Sequence, residues 1–346
     1  MTAMTRPTHA GELMQQRRSR SPHRSSAWIL AGAVMALGVC VPASARAQVP
    51  ARFYWKTLSG SSAVPVIFLS LNGNSNPMDP AHIALPGAVV EASVAPVGYA
   101  RTFVLFDRAA MAAALVPTGR ISGDVNAFGN TVHETASGFG DPLLELDVNV
   151  IGKKPIRSLP DLLRYEPGFS LDLLVDVALP VGEYNAEQAL NLGQNRWYGR
   201  IGAPIVWQLG PWVPGRRTTL EFLPSLWLFG DNRDYLGQTL ATEPLFELEG
   251  HLTRDLTKDL WASLDGTWYT GGTPSIDGTE GSALDNLGLG YTLGYTVNEN
   301  IQATFGYMST INDSEPGDLQ MDGFRASVVF GWHPLIEGVK RLGGGE

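Results

Sequence analysis

Between residues 143 and 333 the chain alternates apolar and polar positions in nine stretches, each close to the ten or so residues that carry a tilted strand across a bilayer. In 143–150, Leu144, Leu146, Val148 and Val150 share one face while Glu145, Asp147 and Asn149 share the other. In 169–179, Phe169, Leu171, Leu173, Val175, Val177 and Leu179 oppose Ser170, Asp172, Leu174, Asp176 and Ala178. The pattern continues in 197–209, 244–253, 260–269, 285–297, 301–309 and 322–333, where Phe324, Ala326, Val328, Phe330 and Trp332 oppose Arg325, Ser327 and His333. It is weaker in 217–229, where Pro224 interrupts and both faces are apolar near Trp227 and Phe229.

The connections have their own rhythm. Short turns at 210–216, 254–259 and 298–300 alternate with longer loops at 180–196, 230–243, 270–284 and 310–321, rich in Gly, Asn, Asp, Thr and Pro. Tight periplasmic turns alternating with long external loops are the mark of an outer-membrane barrel. Nine strands ending on the periplasmic side require an odd number before them. Candidates at 88–95, 98–106 and 110–117 bring the total to twelve; pairing Val64–Leu71 with part of 50–58 would make it fourteen. The expectation is an all-β, transmembrane, antiparallel up-and-down barrel of about twelve strands over 88–333. It is preceded by an irregular segment over 48–87 that can enter the lumen and followed by a tail over 334–346. A propeller would repeat at a fixed period, and a sandwich of this length would show a linker; the sequence has neither.

Composition adds the compartment. Arg6, Arg17, Arg18, Arg20 and Arg24 precede an apolar run from Ala27 to Val41, too short to span a membrane as a helix, and Ala45-Arg46-Ala47 follows. These are the parts of a secretory signal peptide over 1–47, cleaved before Gln48. The bulky Val39 before Cys40 disfavours a lipoprotein, and cleavage removes the single cysteine. The mature chain then has 19 basic and 33 acidic residues, a balance of −14, which excludes nucleic acid as a natural partner. Charged residues make up 17% of the chain, below the roughly 25% of soluble domains. No segment after the leader is apolar for the length of a helical span, so a membrane crossing must use strands.

Inward charges are the candidate chemistry. Glu145, Asp147, Asp172, Asp176, Arg200, Glu247, Glu249 and His251 are expected to line the lumen, with Arg101 also turned inward. As a set they are the candidate pore wall, a charged selectivity filter. For any one of them, a structural network of carboxylates, arginine and water filling the barrel is the better reading. Trp197, Tyr198, Trp207, Trp212, Trp261, Trp268, Tyr269 and Trp332 suit aromatic girdles at the membrane interfaces, with an aromatic ligand track as the sharper alternative. His82, His133, His251 and His333 have no adjacent Gly-x-Ser-x-Gly motif, and no residues show metal-ligand or nucleotide-loop spacing. No catalytic residue, metal or cofactor is therefore expected.

The order of several motifs resembles an outer-membrane transporter family named for the MetA pathway of phenol degradation. They are Gly98-Tyr99-Ala100-Arg101-Thr102-Phe103, Gly138-Phe139-Gly140-Asp141-Pro142, Leu179-Pro180-Val181-Gly182-Glu183-Tyr184 and Asn191-Leu192-Gly193-Gln194-Asn195-Arg196-Trp197. The resemblance covers Pro77 to Trp332 and implies a channel for small, hydrophobic or aromatic molecules. The chain continues past Trp332 to a Gly-Gly-Gly-Glu end, so an assembly signal would be internal. The combined expectation is passive uptake or efflux across the outer membrane. Its partners would be a small solute, outer-membrane lipid and the barrel-assembly machinery. The alternatives are a structural or ligand-binding barrel with a filled lumen and, third, a barrel lipid hydrolase.

Overall fold

The computed structural model describes residues 49–127, 130–315 and 317–343. The expected leader over 1–47 lies outside the described residues. β1 (Ser62–Gly73) opens the barrel, and three long strands follow, each broken once. β2 (Val89–Val94) runs on into β3 (Val97–Leu105), β4 (Arg108–Val116) into β5 (Thr118–Ala127), and β6 (Asn130–Phe139) into β7 (Leu143–Ile151). The breaks hold Pro96, Pro117 and Pro142, which lack the amide that a ladder needs. Next come β8 (Phe169–Ala178) and a strand interrupted at Ala203-Pro204, β9 (Tyr198–Gly202) with β10 (Ile205–Gln208). β11 (Thr218–Phe229) leads into a hairpin of β12 (Asn232–Tyr235) and β13 (Gln238–Thr242). β14 (Leu245–Asp255) and β15 (Leu260–Gly271) return to the wall, and β16 (Pro274–Ile276) and β17 (Thr279–Glu280) pair onto the hairpin. β18 (Leu284–Asn298), β19 (Ile301–Thr310) and β20 (Met321–Trp332) complete the chain's strands.

All pairings in the wall are antiparallel between neighbours, and β20 closes on β1 from Ser62 opposite Trp332 to Gly73 opposite Met321. With β9 and β10 as one stave, the wall is a closed barrel of twelve. Closure leaves no wall edge without a partner, which is what hydrocarbon demands of a spanning sheet. Above the proline breaks, β2 pairs with the upper half of β1 and carries β5 and β6 with it, a three-stranded extension of the wall.

The alternation decides which side meets lipid. Phe169, Leu173, Val175 and Val177 of β8 are exposed on the outside, while Ser170, Asp172, Leu174, Asp176 and Ala178 are buried inside. β18 repeats this with Leu287, Leu289, Tyr291, Leu293 and Tyr295 outside. β11 obeys the same rule despite Pro224, with Thr219, Glu221, Leu223, Ser225 and Trp227 inward. Both ends of the wall, Ser62 and Trp332, lie with the turns at 106–107, 256–259 and 299–300, which marks that end as periplasmic in an outer-membrane barrel.

Four expectations are corrected. Residues 62–73 are the first stave rather than part of an irregular segment, and they pair with 321–332 rather than with 50–58. The region 88–95 is the upper continuation of β3 and not a stave of its own, so the count of twelve stands with a different first member. Trp261 and Tyr269 are buried inside and Tyr198 packs inward on Trp227, because they share the phase of Ser263, Asp265 and Arg200; Trp197, Trp207, Trp268 and Trp332 do face outward. Arg101 is exposed on the outer side, in phase with Tyr99, and not in the lumen. The stretch after Trp332 forms a helix, Pro334–Gly343.

The closure can be tested directly. Val66 and Val328 are register partners. The double variant V66C/V328C is expected to cross-link on oxidation and to migrate as a closed loop on a denaturing, non-reducing gel. Absence of that band, with a folded control, would mean that β1 does not seal the wall.

Candidate functional site

Strand register gathers the inward charges. Glu145 on β7 stands opposite Asp176 on β8, Asp176 opposite Arg200 on β9, and Glu221 on β11 opposite His251 on β14. Arg200 is buried and is the hub: its guanidinium lies 2.7 Å from Asp176, 3.2 Å from Glu249 and 3.8 Å from Glu247. It also sits 5.0 Å from the ring of Trp227, whose indole N–H donates to Glu247 at 2.7 Å. Beyond it, His251 contacts Asp265 at 2.7 Å, and Asp265 also accepts from Ser263 and Thr292. Ser263 thus gives its proton to the carboxylate that already holds the histidine, rather than to the histidine as a nucleophile–base pair requires. All eight expected lumen residues lie on the inner face. One arginine set among several carboxylates leaves Glu145 Oε1, Asp147 Oδ2 and Asp176 Oδ1 buried without a hydrogen bond among the described residues.

The sequence reading missed what answers these charges from within. Residues 49–61 run inside the periplasmic half of the barrel and bind its wall mainly through polar groups. Lys56 pairs with Asp172 and, at 3.2 Å, with Asp147. Arg52 lies 2.7 Å from Asp255 and is sandwiched between Trp55 and Trp261 at 4.3 and 4.5 Å. Its amide and the Trp55 indole both donate to Glu221 at 2.8 Å, and the Val49 amide donates to Glu249 at 2.9 Å. Tyr54 packs on Leu174, Val206 and Leu223. A small space remains beside it, among Trp55, Tyr165 and Trp212. The available signal was Arg52, Trp55 and Lys56 in a short segment facing a wall with surplus carboxylates.

At the external end, residues 74–88 and 179–197 build a cap. Arg196 Nη2 donates to both carboxylate oxygens of Asp79 at 2.8 Å, and the guanidinium lies 4.9 Å from the Phe229 ring. Asp141 accepts the amides of Gly182 and Gln194 at 2.8 and 2.7 Å, and burial raises its carboxyl above the ordinary value. A Cβ on Gly182 would stand 2.6 Å from the Gly140 carbonyl carbon and 2.8 Å from Gly193 Cα, so three backbone segments meet where no side chain fits. Three of the motifs singled out in the sequence therefore converge on this one junction. Apolar packing of Leu69, Leu71, Val90, Ile121, Leu190 and Leu192 backs it. Burial raises the Tyr184 and Tyr235 hydroxyls above their usual range, keeping both neutral beside a small pocket they line with Asn191 and Arg196.

Two outcomes follow. Arg200→Met leaves Asp176, Glu247 and Glu249 buried without their cation and should lower stability by about 3–5 kcal/mol, read from the urea midpoint of refolded protein in micelles. An unchanged midpoint would mean that the carboxylates find water or protons instead. Arg196→Gln should speed amide exchange across Asn74–Leu85 while the strands stay protected.

Comparisons place this geometry among known proteins. A family model described as "Putative MetA-pathway of phenol degradation" matches residues 82–328, more than two thirds of the chain. No curated protein matches. Among solved structures, the COG4313 outer membrane channel from Pseudomonas putida F1 superposes with a TM-score of 0.64 at 17% identity, covering 82% of this chain and 99% of that one. The translocator domain of the autotransporter NalP from Neisseria meningitidis gives 0.46 at 11% identity, over 88% of this chain and 95% of that one. The NanC porin gives 0.41 at 10% identity, over 77% and 98%. With the family match spanning most of the barrel and its cap, this chain belongs to the family of the MetA-pathway of phenol degradation.

Proposed function

We propose that this protein is an outer-membrane channel that passes small solutes, aromatic ones included, down their gradient in either direction. The observation that carries the reading is the content of the lumen. The wall presents acids that a permanently sealed interior would have little reason to bury, and the segment that covers them is bound largely by hydrogen bonds and ion pairs that water can replace. On this reading residues 49–61 must shift for solute to pass. Glu145, Asp147, Asp172, Asp176, Arg200, Glu247, Glu249 and His251 then form the wall of the path.

Aromatic solutes fit the family's description, and Trp55, Tyr165 and Trp212 line the space beside Tyr54 near the periplasmic mouth. The similar structure from Pseudomonas putida is itself titled an outer membrane channel. Passive transfer uses no catalytic step and no cofactor. The second reading, a structural barrel with a filled lumen, is favoured by the burial of Tyr54 against Leu174, Val206 and Leu223.

Planar-bilayer recording separates the two. The refolded mature protein should show small or intermittent conductance. Removing two ties of the inner segment with R52Q/K56Q should raise open probability about tenfold, with millimolar phenol reducing the current. A correctly folded barrel that conducts in neither form would establish the filled-lumen reading.

A further inference from the structure

We infer that the periplasmic rim formed by the β3–β4 turn and residues 152–168 is a docking surface for anionic phospholipid headgroups of the inner leaflet. The inference rests on the outer-membrane orientation and not on conduction. At the tip of the turn, Phe106 is 91% exposed, and Leu163 in the short helix Leu159–Arg164 is 87% exposed.

The backbone makes Phe106 more telling. Phe106 and Asp107 have φ of +48° and +60°, the left-handed pair of a two-residue hairpin that favours Asn-Gly. A bulky aromatic residue there is strained, so the local turn chemistry does not account for it. Exposed Val150 and Phe169, on the lipid-facing phase of β7 and β8, mark the edge of the apolar belt on neighbouring staves.

Basic side chains complete the arrangement. Lys153, Lys154 and Arg164 are exposed and make no ion pair among the described residues, and Arg108 projects from the same turn as Phe106. Asp107 pairs with Arg157, which ties the turn to the 152–168 segment as one surface. Of the acids in that segment, Asp161 is engaged by Ser158, leaving Glu166. From the lipid-facing belt edge at Val150 the chain passes directly to exposed Lys153 and Lys154, so the apolar wall gives way to long cationic side chains, the order of hydrocarbon and phosphate in a leaflet. The cations select an anionic occupant, and their continuity with the lipid-facing wall selects lipid. The bias is local, since the external loops 230–244, 272–283 and 311–320 hold eight carboxylates and a single arginine.

A surface-held Lys or Arg strengthens attraction to anionic lipid by about fivefold. The test uses the refolded mature protein carrying one fluorophore at Glu166→Cys, reconstituted in phosphatidylcholine with a tenth of the lipid brominated. Brominated phosphatidylglycerol should quench at least threefold more strongly than brominated phosphatidylcholine. The preference should fall to near one in K153Q/K154Q and shrink in high salt, and Phe106→Gly should fold normally but weaken quenching by both lipids. Equal quenching by the two lipids, or a preference untouched by K153Q/K154Q, overturns the inference. So does a periplasmic protein whose binding those substitutions abolish while lipid preference persists. Conductance of K153Q/K154Q should equal that of the parent, so failure here is distinct from failure of the channel reading.

Discussion

In hydrocarbon, a strand's backbone amides and carbonyls have no water to turn to, and each must be met by another strand. That requirement makes the ladder between β1 and β20 the contact on which everything else depends. It joins residues some 250 positions apart along the whole length of both strands, and it turns an open sheet into a wall. Once the wall is closed, alternation assigns every side chain to lipid or lumen. The lumen inherits the charges because the outside cannot hold them.

Closing the wall creates a second problem. Carboxylates from β7, β8 and β14 face one another across a narrow space, and Arg200 alone cannot balance them. Residues 49–61 bring Arg52, Lys56 and backbone amides to these acids from the centre of the barrel. The inner segment is held by electrostatics more than by apolar burial, with Tyr54 as its main hydrophobic anchor. Attraction of that kind weakens when water enters, which is a property suited to an element that covers a path without sealing it permanently.

The external cap is built on the opposite principle. Close backbone contact at Gly140, Gly182 and Gly193, a buried Arg196–Asp79 pair and an apolar cluster leave little for water to replace. Three of the four motifs that carry the sequence resemblance meet at or beside this cap, where they are used for backbone packing. The charged lumen wall is drawn from strand positions whose neighbours are set by register.

The sequence by itself determined the nine strands from 143 to 333, their faces, the alternation of short and long connections and the inward set from Glu145 to His251. A period of two is a local property, and one lipid face with one polar face imposes it strand by strand. The sequence marked Val64–Leu71 as an apolar run but could not assign its faces or partner, because Leu69 and Leu71 face inward into the apolar cluster behind the cap while Val66 and Phe68 face lipid, so both faces read apolar. Trp261 and Tyr269 were legible too, since they share the parity of Ser263, Asp265 and Thr267, but their girdle-like composition outweighed that phase. Pairing of 62–73 with 321–332, the break of three staves at their prolines and the entry of 49–61 into the lumen were decided by tertiary structure. Each depends on which distant strand supplies a hydrogen bond or which distant carboxylate needs a cation, and no local pattern encodes that.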